Sequence, residues 1–340
     1  MRTPLTVGIV GLGAEGVAYA NALADLPQVS LRWLCDEHSD LRQRLGRRFA
    51  TARITSDPSD LLRDESLDTI LIARGGCPTL AYAALTGDKH VFTTSPLAYT
   101  GADAARLVRV AQARERALIV ADPLVAQPAA RKLKELIASG RLGDVYSLYA
   151  DRRGIPRARP ADQGVWTFGA DELSLLLHVL EDEPIEVVAR GQSYVEPGVV
   201  DVVSCDLLFA TGISAHLHLS WLDPLPTRRL TAIASKRMAV LDGLEPERKL
   251  TIYEQSSGDG CIGDIHRPLI EPADAVLLDC ERLLAGVRSG TPQRNAQRAV
   301  AVVEVLESVE KSLEREQRMV QPVAQASAGH LELVTFRPPV

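Results

Sequence analysis

The residues Gly11-Leu12-Gly13-Ala14-Glu15-Gly16 have the composition and spacing of a loop that cradles a phosphate. Each glycine has its own task in such a loop. Gly11 permits a tight turn, Gly13 lets the backbone approach a pyrophosphate, and Gly16 lets the next helix pack on the sheet. Free N–H groups at the N-terminus of that helix complete an anion site. Asp36 lies twenty residues past Gly16, at the end of the next apolar run. A carboxylate there accepts hydrogen bonds from ribose hydroxyls and repels a 2′-phosphate, so the two features together predict NAD as the cofactor rather than NADP. Asp36 has an alternative task as a cap for the helix that begins near Ser39. Glu15 sets a negative side chain beside the phosphate site and is expected to face solvent, where a helix N-terminus tolerates it. Arg32, in the middle of the second apolar run, is expected at the surface.

These residues need a strand before them and a helix after them. Residues 6–10 read as the strand and 14–26 as the helix. Short apolar runs at 31–35, 54, 69–73, 90–93 and 118–120 then alternate with helical patterns after Ser39, after Asp57-Pro58, at 80–86 and at 100–116. Alternation of this kind predicts a parallel sheet wound on both faces. After a helix at 129–139 the period changes to two, with segments at 145–150, 185–194, 202–209, 213–221, 230–235, 238–241 and 250–253. Consecutive strands with short turns predict an antiparallel sheet. A helical stretch at 171–180 interrupts it, and helices at 275–288 and 295–316 follow. The expected fold class is α/β: an N-terminal Rossmann domain at 1–122, and a C-terminal α+β domain at 123–340 with a large, open, mostly antiparallel sheet. The last helices are placed to pack back on the first domain.

The chain has 340 residues, which suits two domains, and is 46% hydrophobic but only 4% aromatic, so its cores are aliphatic. A net charge of −6 does not suggest a nucleic-acid partner. No apolar run approaches a membrane span. The start of the chain runs directly into a strand, so no signal peptide is expected. Five scattered cysteines without CxxC spacing argue against a disulfide framework and against a metal site, and a cytoplasmic setting is the expectation.

Three stretches carry a family likeness. They are Gly87-Asp88-Lys89-His90-Val91-Phe92-Thr93-Thr94-Ser95-Pro96-Leu97, the helix-to-strand run from Leu133 through Gly140-Arg141-Leu142-Gly143-Asp144-Val145, and the later run from Arg228 through Met238 to Tyr253. With the glycine loop they make the chain resemble the glucose–fructose oxidoreductase / inositol dehydrogenase / MocA family over almost its whole length. The last run is most similar to the nucleotide-sugar branch, which includes UDP-N-acetylglucosamine-type 3-dehydrogenases. The resemblance implies hydride transfer at a carbon of a sugar or nucleotide sugar, and dimers or tetramers formed through the C-terminal sheet. It also implies cofactor contacts from Arg74, Thr94 and Pro96, and substrate contacts from Arg153, Trp166 and residue 171.

The departures from the family pattern fall on its proton-handling residues. A Glu-Lys-Pro tripeptide is expected after the fifth strand, and Thr94-Ser95-Pro96 stands there. A histidine expected in the interrupting helix is Asp171, followed by Glu172. A Gly-His pair expected after the sixth strand is Ala121-Asp122. Oxidising an alcohol needs a base for the hydroxyl proton. Asp171 would serve if burial raised its pKa, with Glu172 and Asp122 helping through like-charge repulsion and Ser95 hydrogen-bonding the reacting oxygen. The same pattern also fits a site that has lost its chemistry, leaving an NAD-binding regulator, or a non-redox lyase or epimerase that retains NAD. Of the run Arg152, Arg153, Arg157 and Arg159, Arg153 is expected to face the cleft and the others solvent. His178 is expected in the core, His216 and His218 on one outer sheet face, Trp221 at a sheet interface, and Cys77 as a small buried apolar residue.

Overall fold

The computed structural model describes residues 4–155, 164–196, 198–255, 262–289 and 293–319. The first half alternates strand and helix: β1 (Leu5–Val10), α1 (Ala14–Ala24), β2 (Val29–Cys35), α2 (Ser39–Arg48), β3 (Arg53–Thr55), α3 (Pro58–Arg63), β4 (Thr69–Ile72), α4 (Pro78–Thr86), β5 (His90–Thr93), α5 (Gly101–Ala113) and β6 (Leu118–Val120). All six strands pair in parallel, in the order β3-β2-β1-β4-β5-β6. Every residue of β4 and β6 is buried, as expected for strands covered on both faces. Local chemistry starts the helices. Asp57 accepts from Ser59 N at 2.9 Å with Pro58 in the first turn, and Thr100 accepts from Asp103 N at 3.1 Å. The strand order reverses between β1 and β4, so their C-terminal ends open a crevice beside the start of α1.

The second half holds α6 (Pro123–Ala126), α7 (Pro128–Ala138), β7 (Val145–Arg153), α8 (Gly164–Leu180), β8 (Pro184–Gln192), β9 (Val202–Phe209), β10 (Ser214–Ser220), β11 (Thr227–Ala234), β12 (Arg237–Asp242), β13 (Leu250–Gln255), β14 (Ile262–His266), α9 (Ala275–Ser289) and α10 (Gln293–Met319). The sheet runs β14-β13-β12-β11-β7-β10-β9-β8 and is antiparallel except where β10 lies parallel to β7. Burial alternates along its strands, most regularly in β9, where Val203, Cys205, Leu207 and Phe209 face inward. Trp221 also turns inward, edge-on to Phe168 of α8 at 5.1 Å, rather than to an outer interface. Helix α8 begins seven residues before Asp171, earlier than the sequence pattern indicates.

One apolar core joins the two sheets, taking in Ile70, Leu97, Leu133, Leu173, Leu217 and Leu306. The last two helices tie back onto the first sheet. Asn295 Oδ1 accepts from Val120 N at 2.7 Å, Asp279 Oδ2 accepts from Asp122 N at 2.9 Å, and Glu307 Oε2 accepts from Gly101 N at 3.0 Å. Among the described residues no helix is long and apolar enough to cross a membrane.

Candidate active site

The glycine loop forms at the end of β1. Gly11 takes φ 91°, open to glycine at little cost, and its N–H donates to Cys35 O at 2.9 Å. A Cβ on Gly16 would lie 1.9 Å from Gly11 O, so the loop and α1 close on each other only with glycine there. A Cβ on Gly13 would meet nothing within 4 Å. Gly13 is the N-cap of α1 and no side chain caps that end, which leaves the first-turn N–H groups of Ala14, Glu15 and Gly16 for an anion. Asp36 at the tip of β2 is buried against this loop. Its Oδ2 accepts from Leu12 N at 2.6 Å, and its Oδ1 accepts from His38 N at 2.8 Å with His38 Nδ1 also at 2.8 Å. Burial works to raise the Asp36 pKa, but the His38 and Leu12 N–H groups outweigh it and hold the carboxyl below its usual range. It caps neighbouring N–H groups and closes the loop at once. These residues fit a dinucleotide, with pyrophosphate on α1 and ribose hydroxyls beside Asp36. Arg74 stands at the exposed rim, 4.0 Å from Glu37.

The other end of the crevice is built by the turn after β5. Thr94, Ser95 and Pro96 follow it, and the Ser95–Pro96 peptide is cis. Gly75 is pressed against this turn, since a Cβ there would lie 2.3 Å from Ser95 O, and Gly76 N donates to Pro96 O at 2.7 Å. Thr94 is buried, and its Oγ1 makes no hydrogen bond in good geometry within the chain. Glu15 is solvent-accessible, as its sequence position suggests, but its carboxylate turns into the crevice toward Thr94 and Asp171. Burial raises its pKa, the charge of Asp171 adds to the rise, and the nearby Thr94 hydroxyl opposes it.

The three substituted carboxylates meet at the junction of the two sheets. Asp122 follows β6 and caps α6, with Oδ1 accepting from Val125 N at 3.2 Å. Its Oδ2 accepts from Ser174 Oγ and, at 3.2 Å, from Arg298 Nη2. Glu172 on α8 is buried and accepts from Arg228 Nε at 2.7 Å. Asp171, one residue earlier and a third exposed, accepts from Arg228 Nη2 at 3.0 Å. Burial raises the pKa of Asp122 and of Glu172, while Arg298 and Arg228 respectively oppose it. Ser95, Pro96, Asp122, Asp171 and Ser174 line one small cavity.

Two arginines reach this cluster from the second sheet, and neither is Arg153. Arg228 of β11 bridges the two α8 carboxylates. Arg152 of β7 lies over the Phe168 ring at 4.7 Å and feels the charges of Arg228, Glu172 and Asp171. Arg153 instead pairs with Asp151 at 2.9 Å and Asp223 at 3.5 Å on the other side of the sheet. Alternation along a strand explains the exchange. Arg152 shares a face with buried Leu148 and Ala150, and Arg228 with buried Leu230 and Ala232, so period two was the signal for both. Arg157 and Arg159 lie outside the described residues.

The remaining candidates make contacts within the chain. Trp166 is buried, donates from Nε1 to Glu310 Oε1 at 2.7 Å and packs edge-on to Tyr99. His178 lies 3.2 Å from Arg298 Nη1, and burial followed by the Arg298 charge brings its pKa down to about 3, so it stays neutral. His216 stacks on Tyr149 at 5.0 Å and pairs with Asp206, on the outer sheet face. Cys77 is half-buried at the start of α4. No metal-binding group of three His, Cys, Asp or Glu occurs among the described residues.

Two family models match the chain. One, described as an oxidoreductase family with an NAD-binding Rossmann fold, matches residues 5–122. The other, the GFO/IDH/MocA C-terminal domain, matches residues 130–240. A myo-inositol 2-dehydrogenase of Thermotoga maritima is 23% identical over 303 residues, covering 85% of this chain and 90% of its own. Among solved structures, UDP-N-acetylglucosamine 3-dehydrogenase from Acidithiobacillus ferrooxidans superposes with a TM-score of 0.80 at 21% identity, over 92% of this chain and 99% of that one. GenD2 from gentamicin A biosynthesis, solved in complex with NAD, also gives 0.80, at 22% identity over 93% and 96% of the two chains. At these identities the superpositions speak for the fold.

Proposed function

Because the chain belongs to the GFO/IDH/MocA oxidoreductase family, with its NAD-binding Rossmann fold, we propose that it oxidises or reduces a sugar or nucleotide-sugar carbon with an acid–base set unlike that of its relatives. The observation that carries this reading is the shared cavity of Ser95 and Asp171 at the nicotinamide end of the crevice. When bound, NAD supplies the acceptor for a hydride. The chain must then orient the alcohol and take its proton. Asp171 is the carboxylate suited to this, since it is partly open to the cleft and bonded on one oxygen to Arg228. Ser95 orients the reacting hydroxyl but brings no charge. Asp122 and Glu172 act as positioning residues, because their oxygens are already taken up by Arg298, Ser174 and Arg228. Arg228 fixes the Asp171 carboxylate, and Arg152 adds positive charge to the sugar side, where a phosphate or carboxylate of the substrate would be met. The named activities of the inositol and UDP-N-acetylglucosamine relatives set the substrate panel.

The test is turnover of the purified protein with NAD and a panel of nucleotide sugars and cyclic polyols. Asp171→Asn is expected to cut kcat by about a hundredfold or more. Full activity in that variant would remove Asp171 from the role. One observation favours a second reading: every substituted carboxylate is already ion-paired or hydrogen-bonded to an arginine. A non-catalytic NAD-binding partner protein would bind the cofactor tightly and turn over nothing on the panel.

A further inference from the structure

Glu15 is the one polar side chain of the glycine loop, and the proposed chemistry leaves it unused. The side chain is solvent-accessible. It enters the crevice beside Thr94 and within electrostatic reach of Asp171. The other carboxylates of the cleft each have a cation: Asp171 and Glu172 have Arg228, and Asp122 has Arg298. Among the described residues Glu15 has none within ion-pair distance. A second feature marks the same spot. Thr94 is 4% exposed, and its Oγ1 is buried with no hydrogen-bond partner in good geometry. The Glu15 carboxylate beside it offers an acceptor, and a buried hydroxyl without a well-made hydrogen bond gains from a further polar partner.

The direction of the crevice says what that is. With the pyrophosphate on the N-terminus of α1 and the adenosine ribose at Asp36 on the β2 side, the rest of the dinucleotide runs across β4 and β5 toward Thr94 and Ser95. Glu15 lies at that end. We propose that the Glu15 carboxylate faces the nicotinamide of the bound cofactor and favours its oxidised, cationic form over the reduced, neutral one. The oxidised ring carries a positive charge that attracts the carboxylate. Reduction by a hydride, a proton with two electrons, would cancel that charge, so the attraction would favour the oxidised form alone. Thr94 Oγ1 supplies the polar contact beside it. The crevice is thereby biased toward holding the oxidant.

This inference rests on the chain binding NAD, and the experiment separates the two. Dissociation constants for NAD+ and NADH are measured by titration calorimetry for the wild type, Glu15→Gln and Glu15→Asp. Glu15→Gln is isosteric, and expected to raise the ratio Kd(NAD+)/Kd(NADH) by about five- to tenfold, the size of a partly screened ion pair. Glu15→Asp keeps the charge and is expected to fall between. A ratio within twofold of wild type in both variants would overturn the role of Glu15 while leaving the cofactor in place. Binding of neither form by the wild type would overturn both.

Discussion

Asp36 shows how one side chain serves structure and recognition together. It closes the glycine loop through Leu12 N and, in the proposed cofactor pose, would also meet the ribose hydroxyls. Asp36→Ala is therefore expected to weaken NAD binding by about ten- to a hundredfold, the cost of losing one or two charge-assisted hydrogen bonds, and to narrow any preference over NADP. Calorimetric titration with both cofactors checks it, and equal affinity for NAD in the variant and the wild type would refute it. The loop and Asp36 were legible in the sequence because their meaning lies in local spacing. The surroundings of Asp171 were not. Its partner Arg228 is 57 residues away and joins it only when β11 docks on α8. Glu15 is exposed, as its place in the first turn of α1 indicates, but its nearness to Thr94 and Asp171 was not legible, because two other elements bring those residues there.

The helices whose starts carry their own signals, α3 with Asp57-Pro58 and α5 with Thr100 and Asp103, could be placed from the sequence. The parallel pairing of β10 with β7 could not, since 60-odd residues and three other elements separate the strands and a period-two pattern is silent about its partner. The packing of α9 on α1 and α6 also needed the structure. It brings Asp279 against Asp122 N and, at 3.3 Å, Tyr19 Oη, with Arg282 Nη1 3.1 Å away in poor hydrogen-bond geometry. Burial lifts the Asp279 carboxyl from 3.8 to about 7, against the pull of Arg282 and with the help of Asp122. The folded chain thus holds this proton more tightly than the unfolded one. The stability it contributes is full below about pH 4 and is lost as pH rises through about 7. Asp279→Asn keeps the acceptor oxygen but does not titrate. The stability of the wild type relative to this variant is expected to fall by about 2–3 kcal/mol between pH 5 and pH 8, as read from urea unfolding at each pH. A difference that stays flat with pH would contradict the assignment.

At the scale of the molecule, one face of the eight-stranded sheet is covered by α8 and α10, and among the described residues no helix packs on the other. Tyr149, Val188 and Leu208 are exposed there, beside His216 and Asp206. We propose that a second copy of the chain covers this face, giving a homodimer or homotetramer. Leu208→Glu is expected to shift the protein toward monomer in size-exclusion chromatography with light scattering, with NAD affinity unchanged because the cofactor crevice lies on the first sheet. A wild type that is monomeric at all concentrations would rule the interface out. The bond from Val120 N to Asn295 carries a different consequence, for the order of synthesis. A ribosome delivers the six strands and the whole glycine loop more than 150 residues before α9, yet β6 and the Asp122 turn wait for α9 and α10 to be capped and neutralised. A nascent chain stalled before residue 293 would display the phosphate loop beside an apolar edge at β6 and α5 that α10 has yet to cover.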